Sequence, residues 1–392
     1  MALLLPLSGP SAGVGRDLLD AAQLALFAHD TDLVLLPRDT GGTPEGARRA
    51  MEQALADGAE FVLGPLFARS TRAVAPLAAR AGVLVLSFSN DASVAGKQVF
   101  VLGFRPEEQV ERIVRYAIRE GYARIAGLFP DDAYGQRARD AWRRTLERNG
   151  ALAAPQLLYG RDEMAMAEAL RAFTAFEERK RALEREKAAL RARNDEAARR
   201  ALAELATRDT FGPPPFDAVL IADGGLGLRA IVALLQYYDV PAPQVRYLGT
   251  ERWIVEDPAL ASRPDFEGAW LSTADPAQHQ AFVAHFRRVY DRTPDPLAPL
   301  AYDAVSLAAL LARATPRFSR AELVSPEGFA GYSGILRLRP DGLAEHGLAV
   351  LEVRDGQLTV RDPAPKSFPA GFARLSGRRA LRAAPPSPAR SG

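Results

Sequence analysis

The segment Leu4–Leu26 reads LLPLSGPSAGVGRDLLDAAQLAL and combines three patterns in succession. An apolar run at Leu3–Pro6 is typical of a β-strand, and small residues from Ser8 to Gly13 are typical of a turn. Apolar residues then recur at helical spacing through Val14–Ala28. A strand, a loop and a helix N-terminus can present backbone N–H groups to a ligand. The same unit also connects strands to helices in α/β proteins without binding a ligand. Ser8 is therefore a candidate ligand contact with an equally good role in the turn.

Strand and helix patterns alternate along the whole chain. Thr43 followed by Pro44 predicts a helix start. Continuous apolar runs, typical of a parallel sheet covered on both faces, predict strands at Leu33–Leu36, Phe61–Leu63 and Val83–Leu86. After Arg105 the alternation begins again. Two such series in 392 residues predict an α/β fold with two doubly wound, Rossmann-like lobes.

One segment, from Phe173 to Asp209, interrupts this alternation. It is dense in Glu, Arg, Lys and Ala, which favour helix. Apolar residues recur at every seventh position, namely at Phe176, Leu183, Leu190 and Ala197. We expect an inserted charged hairpin of two helices with its turn near Asn194 and Asp195. Such a hairpin is either a solvated appendage or an arm that contacts a partner.

Charge is unevenly distributed along the chain. The chain has 50 Lys and Arg against 48 Asp and Glu, a net charge of +2. The segment 363–392 has no acidic residue and six basic ones, Lys366, Arg374, Arg378, Arg379, Arg382 and Arg390, so the rest of the chain carries −4. We expect a disordered basic tail over 363–392, either solvated or touching an acidic surface. The remainder shows no basic face with interleaved aromatic residues, so we expect no nucleic-acid partner.

Several classes of chemistry lack their residues. There is no Cys, which excludes disulfides, thiolate metal sites and thiol nucleophiles. His279 and His285 are six residues apart and fall on different helix faces, which makes them poor metal ligands. Asp131 and Asp132 are expected to cap the following helix rather than act as acid and base. We therefore expect a protein that is not an enzyme and has no cofactor.

No targeting or membrane signal is evident in the sequence. No apolar run is long enough to span a bilayer. The opening MALLLPLSG has neither the basic region nor the cleavage site of a signal peptide, so we expect any leader to be absent from this sequence.

Polar residues follow several predicted strands, at the sheet edge where α/β proteins bind ligands. The best candidates follow Val83–Leu86, namely Ser87, Ser89, Asn90 and Asp91. After the VLGPL segment come Ala68, Arg69 and Ser70, of which Ser70, with Thr71, is expected to cap a helix first and contact a ligand second. Candidates in the crossovers and the second lobe are Arg105, Tyr134, Asp223, Glu251 and Trp253.

The sequence resembles type I periplasmic binding proteins of the branched-chain amino-acid class over roughly residues 2–361. The resemblance is carried by four segments in order: LLPLSGPSAGVGRDLLDAAQLAL, FVLGPLFARSTRAVAPLAARAGVLVLSFSND, VFVLGFRPEEQVERIV and LFPDDAYGQRARDAWRRTLERNGA. It implies two lobes joined by three crossovers, with a small-molecule ligand in the cleft between them. With crossovers near Arg105, Glu251 and Ser333, lobe 1 comprises 1–104 and 252–333. Lobe 2 then comprises 105–251 and 334–362.

The resemblance also implies which ligand groups are recognised. In this class, hydroxyls and amides after the GPL turn and after the LVLS strand hold the solute carboxylate, and a second-lobe acid holds its ammonium group. By position the two hydroxyls fall on Ala68, which cannot donate a hydrogen bond, and Asp91, which would repel a carboxylate. Tyr134 and Glu251 match the second-lobe positions. The scaffold therefore implies a solute other than a simple α-amino acid.

One branch of this fold is similar in further segments. The lipoproteins that activate penicillin-binding proteins resemble this chain in VLGPL (62–66), GFRPEEQ (103–109), DAYGQR (132–137) and GYSGILRL (331–338). This resemblance implies a non-enzymatic regulator whose partner is a penicillin-binding protein, that is, a peptidoglycan synthase. The alternative is an ABC-transporter substrate-binding protein whose partner is a permease. Both place the protein in the periplasm or cell envelope.

Overall fold

The computed structural model describes residues 1–29, 32–151, 154–193 and 195–368. The chain forms two compact units. Unit 1 contains Met1–Arg105, Ala274–Ala349 and the described residues after Asp362, and unit 2 contains Pro106–Thr273 and Val350–Asp362. Among the described residues, no helix combines the length and the apolar character needed to cross a membrane.

Unit 1 is built on a five-stranded parallel sheet in the order β2-β1-β3-β4-β5. Its strands are β1 (Ala2–Leu5), β2 (Leu36–Asp39), β3 (Phe61–Leu63), β4 (Leu84–Ser87) and β5 (Val99–Val101). The helices that follow the first three strands are α1 (Ala12–Ala28), α2 (Pro44–Ala56) and α3 (Ala68–Ala81). The β3–α3 connection begins with a cis peptide bond between Gly64 and Pro65.

Both faces of this sheet are buried, as the continuous apolar runs predict. Successive strand residues point to opposite faces. One face carries Leu3, Leu5, Phe61 and Leu63, which pack with apolar residues of α1 and of a later helix, α12 (Ala298–Ala312). The other carries Ala2, Leu4, Val62 and Val85, which pack with residues of α2 and α3.

Unit 2 contains a seven-stranded sheet in the order β15-β14-β10-β9-β8-β6-β7. Its strands are β6 (Ile125–Pro130), β7 (Gln156–Tyr159), β8 (Ala218–Ile221), β9 (Arg246–Thr250), β10 (Trp270–Thr273), β14 (Ala349–Arg354) and β15 (Gln357–Asp362). From β7 to β10 neighbouring strands are parallel, while β14 and β15 form the predicted antiparallel hairpin. Its helices are α4 (Pro106–Arg119), α5 (Ala133–Arg148), α6 (Glu163–Phe173), α7 (Phe176–Arg193), α8 (Glu196–Leu205), α9 (Gly225–Tyr237) and α10 (Arg252–Glu256).

The remaining elements belong to unit 1. They are the helices α11 (Pro276–Tyr290), α12 and α13 (Arg320–Leu323) and the strands β11 (Phe329–Gly331), β12 (Gly334–Leu338) and β13 (Ala344–His346). The three strands form a small antiparallel sheet.

The predicted helical hairpin is present as α7 and α8. Its own small core consists of Leu183, Leu190, Ala198 and Leu205. Ala197, predicted to lie in the seam, is exposed, because the chain reversal resets the heptad and brings Ala198 inward. The Phe173 and Phe216 ring centroids are 5.0 Å apart, so the two ends of the insertion meet. Asn194, half of the predicted turn, lies outside the described residues.

Three boundaries differ from the predictions. The strand expected at Leu33–Leu36 begins only at Leu36, because Leu36 pairs with Ala2, the first residue of β1. The expected boundary near Glu251 falls at Thr273, since β10 pairs with β9 in the sheet of unit 2. The boundary expected near Ser333 falls at Ala349, because side chains of β12 and β13 are buried in the core of unit 1.

The expected basic tail is described only at its start. Over 363–368 the chain forms no helix or strand, and the Phe368 ring centroid lies 4.6 Å from the guanidinium carbon of Arg337. The rest of the expected tail, 369–392, lies outside the described residues.

Candidate functional site

The strands β6 to β9 of unit 2 all run in one direction, so their C-terminal ends lie at one sheet edge. Ligands of α/β proteins bind at such edges. Five polar side chains lie at the strand ends or in the first few residues after them: Tyr134, Tyr159, Asp223, Glu251 and Arg252. We call these five residues, together with Thr250, Glu256 and Gln109, the unit 2 cluster.

Tyr134 lies in the first turn of α5, which starts where the sequence predicted. The Asp132 carboxylate caps this helix by accepting the Gly135 N–H at 2.8 Å. The Tyr134 hydroxyl is 2.9 Å from the Thr250 hydroxyl, and its ring centroid lies 4.9 Å from the Arg252 guanidinium carbon. Burial raises the pKa of Tyr134 to about 12, so its hydroxyl stays protonated.

Asp223, which follows β8, is a buried carboxylate with several donors. Its Oδ2 accepts a 2.8 Å hydrogen bond from the Tyr159 hydroxyl, and its Oδ1 accepts the Gly224 N–H at 2.8 Å. Arg252 Nη2 lies 3.7 Å from the same Oδ1, and Arg252 Nε donates to Glu256 at 2.6 Å. Burial and the Asp223 charge both raise the pKa of Tyr159.

Glu251 is half-buried directly after β9. Its backbone N–H donates to Gln109 Oε1 at 3.0 Å, and its Oε2 accepts from Gln109 Nε2 at 3.3 Å. The cluster thus contains three carboxylates (Asp223, Glu251 and Glu256) and one cation, Arg252, and the charge of Arg137 also acts on Tyr134. This excess of negative charge suits a cationic group of a ligand.

Trp253, a predicted ligand contact, does not lie in the cluster. Its side chain is fully buried, packs on Phe266, and donates its indole N–H to the Ile221 carbonyl at 2.9 Å. The prediction was wrong because α10 begins at Arg252 and turns Trp253 toward the core.

In unit 1, the carboxylate of Asp39 binds backbone N–H groups of the loop that follows β1. Asp39 Oδ1 accepts the N–H groups of Leu7, Ser8 and Gly41 at 2.8, 3.2 and 2.8 Å. Burial raises the pKa of Asp39, but these bonds and one from the Ser8 hydroxyl outweigh it and lower the pKa. The loop amides that the sequence offered to a ligand are therefore already occupied at Leu7 and Ser8.

The polar loop after β4 is also largely satisfied internally. The Ser87 hydroxyl donates to the Pro65 carbonyl at 3.0 Å, lies 2.7 Å from the Thr71 hydroxyl, and accepts the Ser89 N–H. The Ser89 hydroxyl accepts the Asp91 N–H at 3.1 Å, and Asp91 caps a short turn through the Ser93 N–H. Ser87 and Ser89 are buried, whereas Asn90 is exposed.

Helix α3 starts two residues earlier than predicted, so Ser70 and Thr71 lie inside its first turn and neither is the cap. Phe67 occupies the cap position without a side-chain hydrogen bond. The N–H groups of Ala68, Arg69 and Ser70 have no acceptor among the described residues, as expected for a helix start. The Ser70 hydroxyl is buried and likewise has no partner there.

Arg105, the last residue of unit 1 before α4, is buried and serves the fold. Its Nη2 donates to the Ala344 carbonyl at 3.0 Å and so fixes β13. In the described part of the chain, no group of three or more His, Asp or Glu side chains could hold a metal ion.

The structure thus brings together Tyr134, Asp223 and Glu251 of the predicted residues. The sequence patterns did not indicate the other five members of the cluster, Gln109, Tyr159, Thr250, Arg252 and Glu256. Gln109 lies in the quoted GFRPEEQ segment, and Arg252 directly follows the predicted residue Glu251, so both lay beside a signal in the sequence. Tyr159 is the last residue of β7. Its contact with Asp223, which follows β8, depends on the order of the strands in the sheet.

The chain is similar in sequence to known proteins. A family model described as periplasmic binding protein matches residues 1–213, more than half of the chain. An uncharacterized protein of Rickettsia prowazekii (strain Madrid E) is 26% identical over 136 residues, 35% of this chain and 36% of that protein. The Leu/Ile/Val-binding protein BraC3 of Rhizobium johnstonii is 28% identical over 160 residues, 38% of this chain and 44% of that protein. Each match spans less than half of the relative's length.

Solved structures share the fold over nearly the whole chain. A branched-chain amino acid ABC transporter periplasmic ligand-binding protein from Burkholderia xenovorans LB400 has a TM-score of 0.68 at 14% identity, covering 92% of this chain and 93% of that chain. A leucine binding protein from Thermotoga maritima MSB8 has a TM-score of 0.62 at 18% identity, covering 93% and 97%.

A third structure contains an aromatic acid. It is a solute binding protein of an ABC transporter from Rhodopseudomonas palustris BisB5 in complex with 3,4-dihydroxy benzoic acid, with a TM-score of 0.60 at 16% identity, covering 93% and 97%. At these identities the likeness shows the fold alone. Together with the family match, the two largely parallel sheets and their helices lead to one conclusion: the chain belongs to the periplasmic binding protein family.

Proposed function

We propose that this chain is an ABC-transporter substrate-binding protein that binds a small organic solute bearing a cationic amine and delivers it to a permease in the cell envelope. The observation that carries the proposal is the charge of the unit 2 cluster, three carboxylates against one guanidinium. Glu251 would accept the amine, and the Tyr134 and Tyr159 hydroxyls offer neutral polar contacts beside it.

Unit 1, considered by itself, favours a neutral polar group over a carboxylate. Unit 1 offers three N–H groups at the start of α3 and the buried Ser70 hydroxyl, which suit an acceptor such as an amide carbonyl. Ala68 supplies a methyl group rather than a hydroxyl, and Asp91 adds a carboxylate in a loop that contacts α3, where the Arg72 guanidinium donates to Ser93. A carboxylate end would be repelled there.

Isothermal titration calorimetry with three probes of one carbon skeleton tests the preference for an amine and the preference for a neutral polar group. The leucine skeleton is chosen because a relative is described as a Leu/Ile/Val-binding protein. We expect leucinamide to bind more tightly than leucine, which adds a carboxylate, and than 4-methylpentanamide, which lacks the amine. Tighter binding of leucine would overturn the preference for a neutral polar group, and equal binding of 4-methylpentanamide would overturn the amine.

A pair of variants locates the amine. Glu251→Gln should lower leucinamide affinity at least tenfold, because a neutral amide replaces the carboxylate. Glu147→Gln removes the charge of an exposed carboxylate in α5 of the same unit and should leave the affinity unchanged. Equal effects of the two substitutions would contradict the assignment of Glu251.

Activation of a penicillin-binding protein stays a prediction of the sequence analysis. The binding and transport relatives named above support the transport alternative instead. Adding the purified protein to a bifunctional peptidoglycan synthase tests activation directly: a raised rate of glycan polymerisation would favour the regulator.

A further inference from the structure

Gln109 contacts Glu251 on two sides. Gln109 lies in the first turns of α4 and is 5% exposed. Its Oε1 accepts the Glu251 backbone N–H at 3.0 Å, and its Nε2 donates to Glu251 Oε2 at 3.3 Å. A single planar amide thus fixes both the backbone and the carboxylate of one residue.

Gln109 is itself held in place. The Ser272 hydroxyl donates to the Gln109 backbone carbonyl at 2.8 Å. Ser272 is fully buried in β10, next to β9 in the sheet, and Glu251 directly follows β9. Gln109 therefore links α4 to the ends of two neighbouring strands, and its side chain has little freedom to leave Glu251.

The chemical type of Gln109 matters as much as its position. An Arg or Lys in its place would also donate to the Glu251 carboxylate, but it would neutralise the charge that attracts an amine. A Gln amide is a neutral donor, so it orients the carboxylate and leaves its charge intact. A long, flexible Glu side chain otherwise loses rotamer freedom when a ligand binds.

We infer that Gln109 is a positioning residue that holds the Glu251 carboxylate in the orientation that receives the amine of the solute. This inference rests on the proposed function for the solute, but the contact itself is testable in the ligand-free protein.

The ligand-free test measures hydrogen exchange of the Glu251 backbone amide by NMR. Gln109→Leu removes the acceptor and should speed exchange of this amide at least tenfold. Backbone amides of β6 and β8 in the same sheet should keep their wild-type protection, which guards against a folding defect in the leucine variant. Unchanged exchange in Gln109→Leu would overturn the inference whether or not any solute binds.

The solute test compares leucinamide with 4-methylpentanamide. Gln109→Leu should weaken leucinamide binding at least tenfold and leave 4-methylpentanamide binding unchanged, because only the amine uses Glu251. An equal loss for both probes would show a merely structural role and overturn the inference. Failure of the wild-type protein to bind leucinamide would count against the proposed amine solute, and the exchange result would then decide the role of Gln109 alone.

Discussion

The Tyr159 hydroxyl donates a 2.8 Å hydrogen bond to Asp223 Oδ2, and both side chains are buried in unit 2. Tyr159→Phe removes this donor and leaves a buried carboxylate oxygen with one partner fewer. We expect the free energy of unfolding to fall by about 1–3 kcal/mol, the usual cost of such a loss next to a charged acceptor. Urea denaturation measures it. Tyr237 is exposed to water. Tyr237→Phe should therefore change the free energy of unfolding by less than about 0.5 kcal/mol.

Asp303 predicts a pH dependence of stability. Its oxygens accept the N–H groups of Tyr332 and Ser333 at 2.8 and 2.7 Å, and burial raises its pKa to about 6 despite these bonds and the nearby His346. The folded pKa lies above the unfolded value, so the native protein binds the extra proton between about pH 4 and pH 6. The free energy of unfolding should therefore fall as pH rises through this range, by on the order of 3 kcal/mol.

The control for this prediction removes the titration. Urea unfolding of wild type and Asp303→Asn from pH 4 to pH 7 should give stability curves whose difference changes with pH. Asp291→Asn, at an exposed position after α11, should follow wild type in parallel. Parallel curves for Asp303→Asn as well would mean that Asp303 does not titrate in this range.

Arg179 connects the helical hairpin to the rest of unit 2 through hydrogen bonds. Its guanidinium is buried and donates to the carbonyls of Gly212, Tyr238 and Asp239 at 3.2, 3.2 and 2.8 Å. Arg179→Lys cannot satisfy three carbonyls in this planar arrangement. We expect faster hydrogen exchange across α7 and α8 and a loss of about 1–3 kcal/mol. Arg185→Lys, at an exposed position of the same helix, should leave exchange unchanged.

Two glycines of α1 predict effects of opposite sign. A Cβ added at Gly15 would lie 2.0 Å from the Pro6 carbonyl oxygen, whereas a Cβ at Gly13 would meet nothing within 4 Å. Gly15→Ala should therefore destabilise by about 1–3 kcal/mol through overpacking. Gly13→Ala should stabilise by about 0.5–1 kcal/mol, since alanine loses less entropy in a helix. Thermal unfolding of the two variants checks the signs, and a shift in the same direction would contradict the close approach of α1 to the loop after β1.

Much of the fold follows from local sequence signals. The Thr43 hydroxyl accepts the Gly46 N–H at 3.0 Å and Asp132 accepts the Gly135 N–H at 2.8 Å, so both predicted helix starts are confirmed. A helix cap can be predicted from a few neighbouring residues. The spacing of apolar residues can likewise be recognised within a single helix or strand. For this reason most strands and helices lie close to where the patterns predict them.

The arrangement of the candidate site depends on contacts between residues that are far apart in the sequence. Asp39 occupies the first loop from 32 residues away, and Tyr159 reaches Asp223 across 64 residues. Neither contact leaves a local pattern in the sequence. Ser87 and Trp253 follow or flank strands as ligand contacts do, yet both donate to backbone carbonyls inside the protein. Tertiary packing decides whether a side chain at the end of a strand points into the protein core or toward the sheet edge where a ligand can bind.

The rings of Phe173 and Phe216 lie against each other at a tilt, with their centroids 5.0 Å apart. They bring both ends of the insertion together, and the strand pairing of β6 with β7 and β8 involves no residue of α7 or α8. A short linker from Phe173 to Phe216 in place of the insertion should therefore leave the strand order of the unit 2 sheet unchanged.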